Sequence, residues 1–189
     1  MAVMKQMNDG LDQLFDYSLP KFFSPEEKST FIDLIEKCKV ALKYLNKGNH
    51  QNFWDFFQVI ITKEIDYRKI ILDLNRKADE LAYIKERVSD SIIWKFGLYN
   101  HCRIILLQEL SNFITNEYEK ARVYKSTSPY IAKDVINRAN ELSEYYLKKF
   151  NALHDLQKAE DDNIIEHCIY VVEDSIVIGK NSLKEITLT

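Results

Sequence analysis

Glycine, proline and cysteine are all scarce in this chain of 189 residues, which contains four, three and three of them respectively. A β-sandwich or barrel needs many turns marked by glycine or proline, so the scarcity of both predicts an all-α fold. The separated cysteines Cys38, Cys102 and Cys168 suggest reduced thiols in small core positions. No apolar stretch approaches the ~20 residues that span a bilayer. We therefore expect a cytoplasmic protein, with attachment to a membrane surface as the more specific version.

The motifs of common catalytic and metal sites are missing as well. No two of the four histidines lie four residues apart, and no glutamate precedes a histidine by three residues as in a di-iron bundle. Neither a glycine-flanked nucleophile nor a glycine-rich phosphate loop occurs. The net charge is −3, and the cations of the middle segment alternate with acids, which argues against a nucleic-acid-binding face. The sequence thus predicts a non-catalytic protein without metal, cofactor or nucleic-acid partner.

The residues that are present predict long amphipathic helices. Ser24-Pro25-Glu26-Glu27 combines a cap, a first-turn proline and a capping-box acid, so a helix is expected over 24–47. From Gln51 to Tyr124, apolar residues recur at gaps of three and four without a proline, which favours one kinked helix. If continuous, that helix is about 110 Å long. A break at Ser89-Asp90-Ser91 is the alternative, because both residue types favour helix caps.

A second start signal, Ser128-Pro129, follows a turn at 125–129 and predicts a last helix that continues through the β-branched run after Cys168. Within it, Glu160–Asn163 marks a kink or an exposed turn. Residues 1–23 are expected to be an N-terminal segment packed on a single helical domain, 24–189. The predicted architecture is an elongated antiparallel helical hairpin or three-helix coiled coil with very long central and C-terminal helices.

Aromatic residues cluster in the middle of the chain. Phe53, Trp54 and Phe57 cover more than one face of a helix, which predicts burial on two sides. Together with Trp94, they are candidates for core packing or for the seam of a homodimer.

The helix proportions resemble those of a BAR domain, most nearly the sorting-nexin kind, over about residues 24–187. The spacing of Tyr170-Val171-Val172-Glu173, Ile176, Lys180 and Leu183 is similar to that of the family's final helix. The resemblance implies a dimeric, curved rod that lies on membranes, with the turn at 125–129 at its distal tip. It also implies lipid contacts from cations, for which the nearest candidates are Arg76, Lys77, Lys148 and Lys149.

The sequence therefore favours a self-associating, non-catalytic scaffold. Its most specific version is a BAR-like peripheral protein that binds curved anionic membranes. The alternative is a compact soluble helical bundle, broken at Ser89–Ser91, that acts as a protein-binding adaptor, regulator or effector. A helical enzyme whose site forms only in the folded chain is the third class.

Overall fold

The computed structural model describes residues 10–77, 82–157 and 163–184, with the backbone alone for 82–89. These ranges are helical and contain no strand, which confirms the predicted all-α class. The helices are α1 (described over residues 10–14), α2 (Pro25–Asn46), α3 (His50–Arg76), α4 (Ala82–Tyr124), α5 (Pro129–Gln157) and α6 (Asn163–Lys184).

Two compact units make up the chain. Unit 1 covers Met1–Leu106 and unit 2 covers Leu107–Thr189, so their boundary falls inside α4. Unit 1 contains α1, α2, α3 and the first part of α4, whereas unit 2 contains the remainder of α4 with α5 and α6.

Helix α2 begins where the sequence predicts it. The Ser24 side chain accepts a hydrogen bond from the Glu27 amide, and the Glu27 carboxylate accepts one from the Ser24 amide, each at 3.1 Å. This reciprocal pair is a capping box, and Pro25 occupies the first turn. Gly48 follows the C-cap with φ +75°, a left-handed conformation that ends α2 at little steric cost.

In unit 1 the helices alternate in direction. A short turn joins α2 to α3, and the two helices pack together. Helix α4 then returns along α3, because Glu64 pairs with Arg103 and the ring of Tyr67 lies 5.5 Å from that of Tyr99. Residue numbers rise along one helix as they fall along the other, so α3 and α4 are antiparallel in this unit.

The prediction of one helix from Gln51 to Tyr124 is therefore wrong. Helix α3 ends at Arg76 and α4 begins at Ala82, while the alternative break at Ser89-Asp90-Ser91 lies inside continuous α4. Burial along α3 stops at Ile65, and its later turns are mostly exposed. Periodicity cannot distinguish one helix from two whose apolar faces share a phase.

Unit 2 is also built from three helices. The predicted turn at 125–129 is confirmed, since α4 ends at Tyr124 and α5 begins at Pro129. The run after Cys168 is helical, as predicted. The very long C-terminal helix is wrong, however: α5 ends at Gln157, and His154 Nε2 lies 3.6 Å from Glu166 Oε1 in α6. Because the chain folds back, the apolar faces of α5 and α6 pack against each other. Of the predicted kink at Glu160–Asn163, residues Glu160–Asp162 lie outside the described residues.

Each unit has its own aliphatic and aromatic core. The buried residues of unit 1 include Phe15, Phe23, Phe31, Cys38, Leu42, Leu45, Phe53, Phe57, Ile60, Ile61, Leu98, Cys102 and Leu106. Those of unit 2 include Leu110, Ile114, Tyr118, Ala121, Ala139, Tyr146, Phe150, Ile165, Cys168 and Val172. All three cysteines are buried as reduced thiols, in agreement with the predicted core thiols.

Candidate functional site

The turn between α4 and α5 exposes a group of apolar side chains. We call residues 120–133 the α4–α5 tip. Val123 is 71% exposed and Tyr130 is 88% exposed, and both Tyr124 and Ile131 are also open to solvent. Single exposed apolar residues are common on protein surfaces, but four of them within nine residues form a local patch.

Backbone geometry fixes this patch on the outside of unit 2. The Ser128 amide donates to the Tyr124 carbonyl oxygen at 2.7 Å, and the Ala132 amide donates to the Ser128 carbonyl oxygen at 3.1 Å. Proline at the first position of α5 adds a φ suited to the start of a helix. The small residues Ala121 and Ala132 are buried beneath the turn, so the larger neighbours must point away from the core.

Cations surround the apolar patch. No acid interrupts the tip sequence. Lys125 Nζ donates to the Leu183 carbonyl oxygen at 2.5 Å, which brings the last turn of α6 to the same end of unit 2. The basic residues at this end are Lys120, Arg122, Lys125, Lys133, Lys180 and Lys184.

Among the described residues, three acids lie near these cations. Glu117 pairs with Lys120, the carboxylate of Glu119 lies 3.6 Å from Arg122, and Asp134 follows Lys133. Glu117 and Glu119 precede the turn by about one to two helical turns, further back along α4 than Val123. The end of unit 2 therefore combines an exposed apolar patch with an excess of positive charge.

The lipid-contact candidates of the sequence lie in separate units. Arg76 ends α3 and Lys77 caps it, both exposed on unit 1. Lys148 and Lys149 lie on α5 in unit 2, where Lys149 Nζ is 5.5 Å from the ring centroid of Tyr145. Each pair is therefore a separate basic position on its own unit.

The aromatic candidates all belong to unit 1. Phe53, Trp54 and Phe57 are buried in its core, with the rings of Phe53 and Phe57 5.5 Å apart. Trp94 is half-buried between the N-terminal segment and α2, with its ring centroid 5.0 Å from that of Tyr17 and 4.7 Å from that of Phe23. Their burial within one unit gives these side chains a packing role there.

A small apolar cavity of about 140 Å³ lies beside Trp94. The N-terminal segment closes one side of it, held by a hydrogen bond from His101 Nε2 to the Leu14 carbonyl oxygen at 3.1 Å. Glu36 is the acid in the lining, and its carboxylate is 2.9 Å from Lys39 Nζ. The lining residues are Phe15, Tyr17, Leu19, Phe31, Ile32, Ile35, Glu36, Trp94 and Leu98.

A buried ion pair joins α3 to α4 in unit 1. Arg103 Nε donates to Glu64 Oε2 at 2.5 Å, and Arg103 also donates to Oε1 at 3.2 Å. Asn100 donates to the same Oε1 at 2.8 Å, so both carboxylate oxygens are hydrogen-bonded. This arrangement fixes the register of the two helices, because any slip would leave a charge buried without its partner.

The buried Cys38 thiol and the capping Glu27 carboxylate show opposite pKa shifts. A hydrogen bond with Cys102, together with burial, raises the pKa of the Cys38 thiol, which disfavours the reactive thiolate. The Ser24 amide and then Lys95, 3.1 Å away, lower the pKa of Glu27. Both shifts accompany packing or capping contacts within unit 1.

Within the described ranges, no group of three or more histidine, cysteine, aspartate or glutamate side chains is placed to hold a metal ion. The same ranges contain no helix long and apolar enough to cross a bilayer.

Sequence reasoning identified the turn at 125–129 but overlooked the exposed apolar and basic side chains around it. The available signal was the run from Lys120 to Lys133, which holds four cations and no acid around a Ser-Pro helix start. The sequence does not show which apolar residues are exposed. Ala121 and Val123 are both apolar, but the fold buries the first and exposes the second.

Comparisons of the chain with protein-family models, with curated proteins and with solved structures find no match. The chemistry of these surfaces is therefore the basis for a functional proposal.

Proposed function

We propose that this protein is a non-catalytic, self-associating helical scaffold that attaches to anionic membrane surfaces. The excess of cations around the exposed α4–α5 tip is the observation that supports attachment. A lysine or arginine near an anionic leaflet contributes about 1 kcal/mol, so a few cations acting together give reversible binding. Attachment through this end does not require one continuous central helix.

Vesicle co-sedimentation tests the attachment. The full chain should pellet with vesicles that contain phosphatidylserine at low ionic strength, and should be released at high ionic strength. Vesicles of phosphatidylcholine alone are the control for charge. Absence of pelleting with the anionic vesicles at low ionic strength would remove the membrane role and leave a protein-binding adaptor as the alternative.

Charge-reversal variants locate the cations that act. We expect Arg122→Glu with Lys133→Glu to weaken pelleting more than Arg76→Glu with Lys77→Glu, since the first pair belongs to the group of cations around the α4–α5 tip. Lys148→Glu with Lys149→Glu is the matched pair in unit 2. If either of the latter pairs has the larger effect, the sequence-predicted cations, not the tip, carry the attachment.

Self-association is proposed on a different surface, in unit 1. Phe22 is 58% exposed and Ile32 is 57% exposed, and Ile32 also lines the apolar cavity beside Trp94. Burying such side chains against a second copy would remove apolar area from water, at roughly 25 cal/mol per Å².

Sedimentation velocity over a range of protein concentrations tests the dimer. The wild-type chain should sediment as a dimer, and Ile32→Glu should shift it toward the monomer. Lys43→Glu, at an exposed position on the same helix, is the charge control. A wild-type monomer at every concentration would refute self-association, and small-angle scattering of a dimer would show whether it is elongated.

A further inference from the structure

We infer that the apolar side chains of the α4–α5 tip insert into the interfacial layer of an anionic membrane, with Val123 and Tyr130 as the inserting residues. This inference rests on the proposed attachment and names the part of the chain that enters the lipid. It follows from the exposure of the tip, whereas the attachment rests on charge alone.

The two inserting residues are exposed at adjacent helix ends. Val123 lies in the last turn of α4 and Tyr130 in the first turn of α5, at 71% and 88% exposure. Ala121 and Ala132, each two residues further from the turn, are buried. The side chains of Val123 and Tyr130 thus leave the bundle at the turn.

Their chemistry suits the boundary between headgroups and acyl chains. Tyrosine has an apolar ring with a polar end and is enriched at that depth, and lysine extends its charged group toward the headgroups. Lys120 and Lys133 are placed one turn or less behind the apolar residues, so they can reach phosphates while the patch is immersed. The cations around the patch complement the negative charge of an anionic leaflet, which favours lipid as the occupant.

The α6 contact gives the tip a fixed shape. Lys125 is hydrogen-bonded to the Leu183 carbonyl oxygen, and the backbone bonds of the turn hold Tyr124 and Ser128 together. An ordered tip loses less conformational entropy when it inserts than a flexible loop would.

The test compares two double variants of the full chain. Val123→Ser with Tyr130→Ser should lower the affinity for phosphatidylserine-containing vesicles by at least about tenfold, because two apolar side chains lose their burial in lipid. Leu156→Ser with Tyr170→Ser is the matched control, since these residues are 79% and 65% exposed in the same unit but away from the tip. The control should bind as the wild type does, and far-ultraviolet circular dichroism should show that both variants are folded.

A direct readout of depth completes the test. An environment-sensitive fluorophore on Tyr130→Cys should shift to shorter wavelength with anionic vesicles and be quenched by nitroxides on the acyl chains. The natural cysteines are buried, and the treated wild type reports any labelling of them.

The outcomes separate the two proposals. If the wild type does not bind anionic vesicles, both attachment and insertion are refuted. If it binds, but the tip variant binds equally well and the fluorophore does not respond, insertion alone is refuted and attachment stands. If the tip variant instead changes the sedimentation of the lipid-free protein, the tip is a contact with a second copy, which also refutes insertion.

Discussion

Gly179 lies where α6 meets the ring of Tyr118 in unit 2. A Cβ atom at this position would lie 2.5 Å from Cδ2 of Tyr118 and 2.8 Å from its Cγ, well inside van der Waals contact. Tyr118 has little room to move, because it is fully buried and its hydroxyl donates to Asn140 Oδ1 at 2.7 Å. Glycine is therefore needed in α6 despite its low helix propensity.

We predict that Gly179→Ala destabilises the protein by about 1–3 kcal/mol, the usual cost of overpacking a core. Urea unfolding followed by circular dichroism measures the change. Gly97→Ala is the matched helical control, because a Cβ atom there would lie nearest to the hydroxyl of Tyr17, at 3.1 Å, on a non-helical segment. Equal effects of the two substitutions would contradict the close packing of Gly179 on Tyr118.

The Glu64–Arg103 pair gives a second prediction at the scale of single residues. Glu64 is fully buried and Arg103 is nearly so, and removal of one partner leaves the other charge without compensation. Arg103→Met alone should cost about 3–5 kcal/mol in the free energy of unfolding, and Glu64→Leu with Arg103→Met should cost less. A double-mutant cycle by urea unfolding measures the coupling energy between the two side chains. A double variant less stable than both single variants would contradict the expected smaller cost.

At the scale of the helix, some boundaries could be predicted from local chemistry and others could not. Ser24-Pro25 and Ser128-Pro129 each combine a capping residue with a first-turn proline, so both starts follow from sequence alone. The boundary between α3 and α4 falls between Arg76 and Ala82, where the sequence Lys77-Ala78-Asp79-Glu80-Leu81 contains no glycine, proline or serine. The packing of α3 against α4 determines that boundary, and the spacing of apolar residues along the sequence does not show which helices pack together.

The candidate site shows the same limit. Sequence alone identified the turn at 125–129, since turn residues are a local property, whereas the predicted cations Lys148 and Lys149 lie outside the tip. It could not show that the α6 terminus lies beside Lys125, because that contact joins residues 58 positions apart. It also could not separate Val123 from Ala121 by exposure.

The reversal of the chain between α3 and α4 is testable by distance. Spin labels at exposed Lys63 and Ile104 should lie within about 30 Å of each other, because the neighbouring Glu64 and Arg103 are paired across adjacent helices. One continuous helix would separate the same positions by about 60 Å. Double electron–electron resonance on the Lys63→Cys, Ile104→Cys variant measures the separation, and a long distance would restore the single central helix.

For the molecule as a whole, the net charge has the opposite sign to the charge at the tip. The net charge is −3, yet the tip end of unit 2 is basic. Long-range attraction to an anionic surface is therefore weak, and under the proposed attachment an approach with the tip foremost is favoured. Binding should consequently be orientation-specific and strongly reduced by salt, since exposed charges are screened within about 10 Å at moderate ionic strength.

The stability of the whole chain should fall in alkaline solution because tyrosines are buried in both units. Burial raises the pKa of Tyr99 to about 12, from an ordinary value of 10.0, and burial also raises the pKa of Tyr146. Both groups contribute stability that is fully present below pH 10. Above it the unfolded chain releases their protons while the folded chain retains them, so the contribution of Tyr99 is lost as pH rises from 10 to about 12.

We predict that Tyr99→Phe reduces this alkaline loss of stability, by up to about 2 kcal/mol across that interval. Urea unfolding at a series of pH values measures it, with Tyr130→Phe as the exposed-tyrosine control. The comparison uses the slope of unfolding free energy against pH, so any constant effect of the lost hydroxyl cancels. Equal slopes for the two variants would mean that Tyr99 ionises as readily in the folded chain as in the unfolded one, and that the α3–α4 contact around it is open to water.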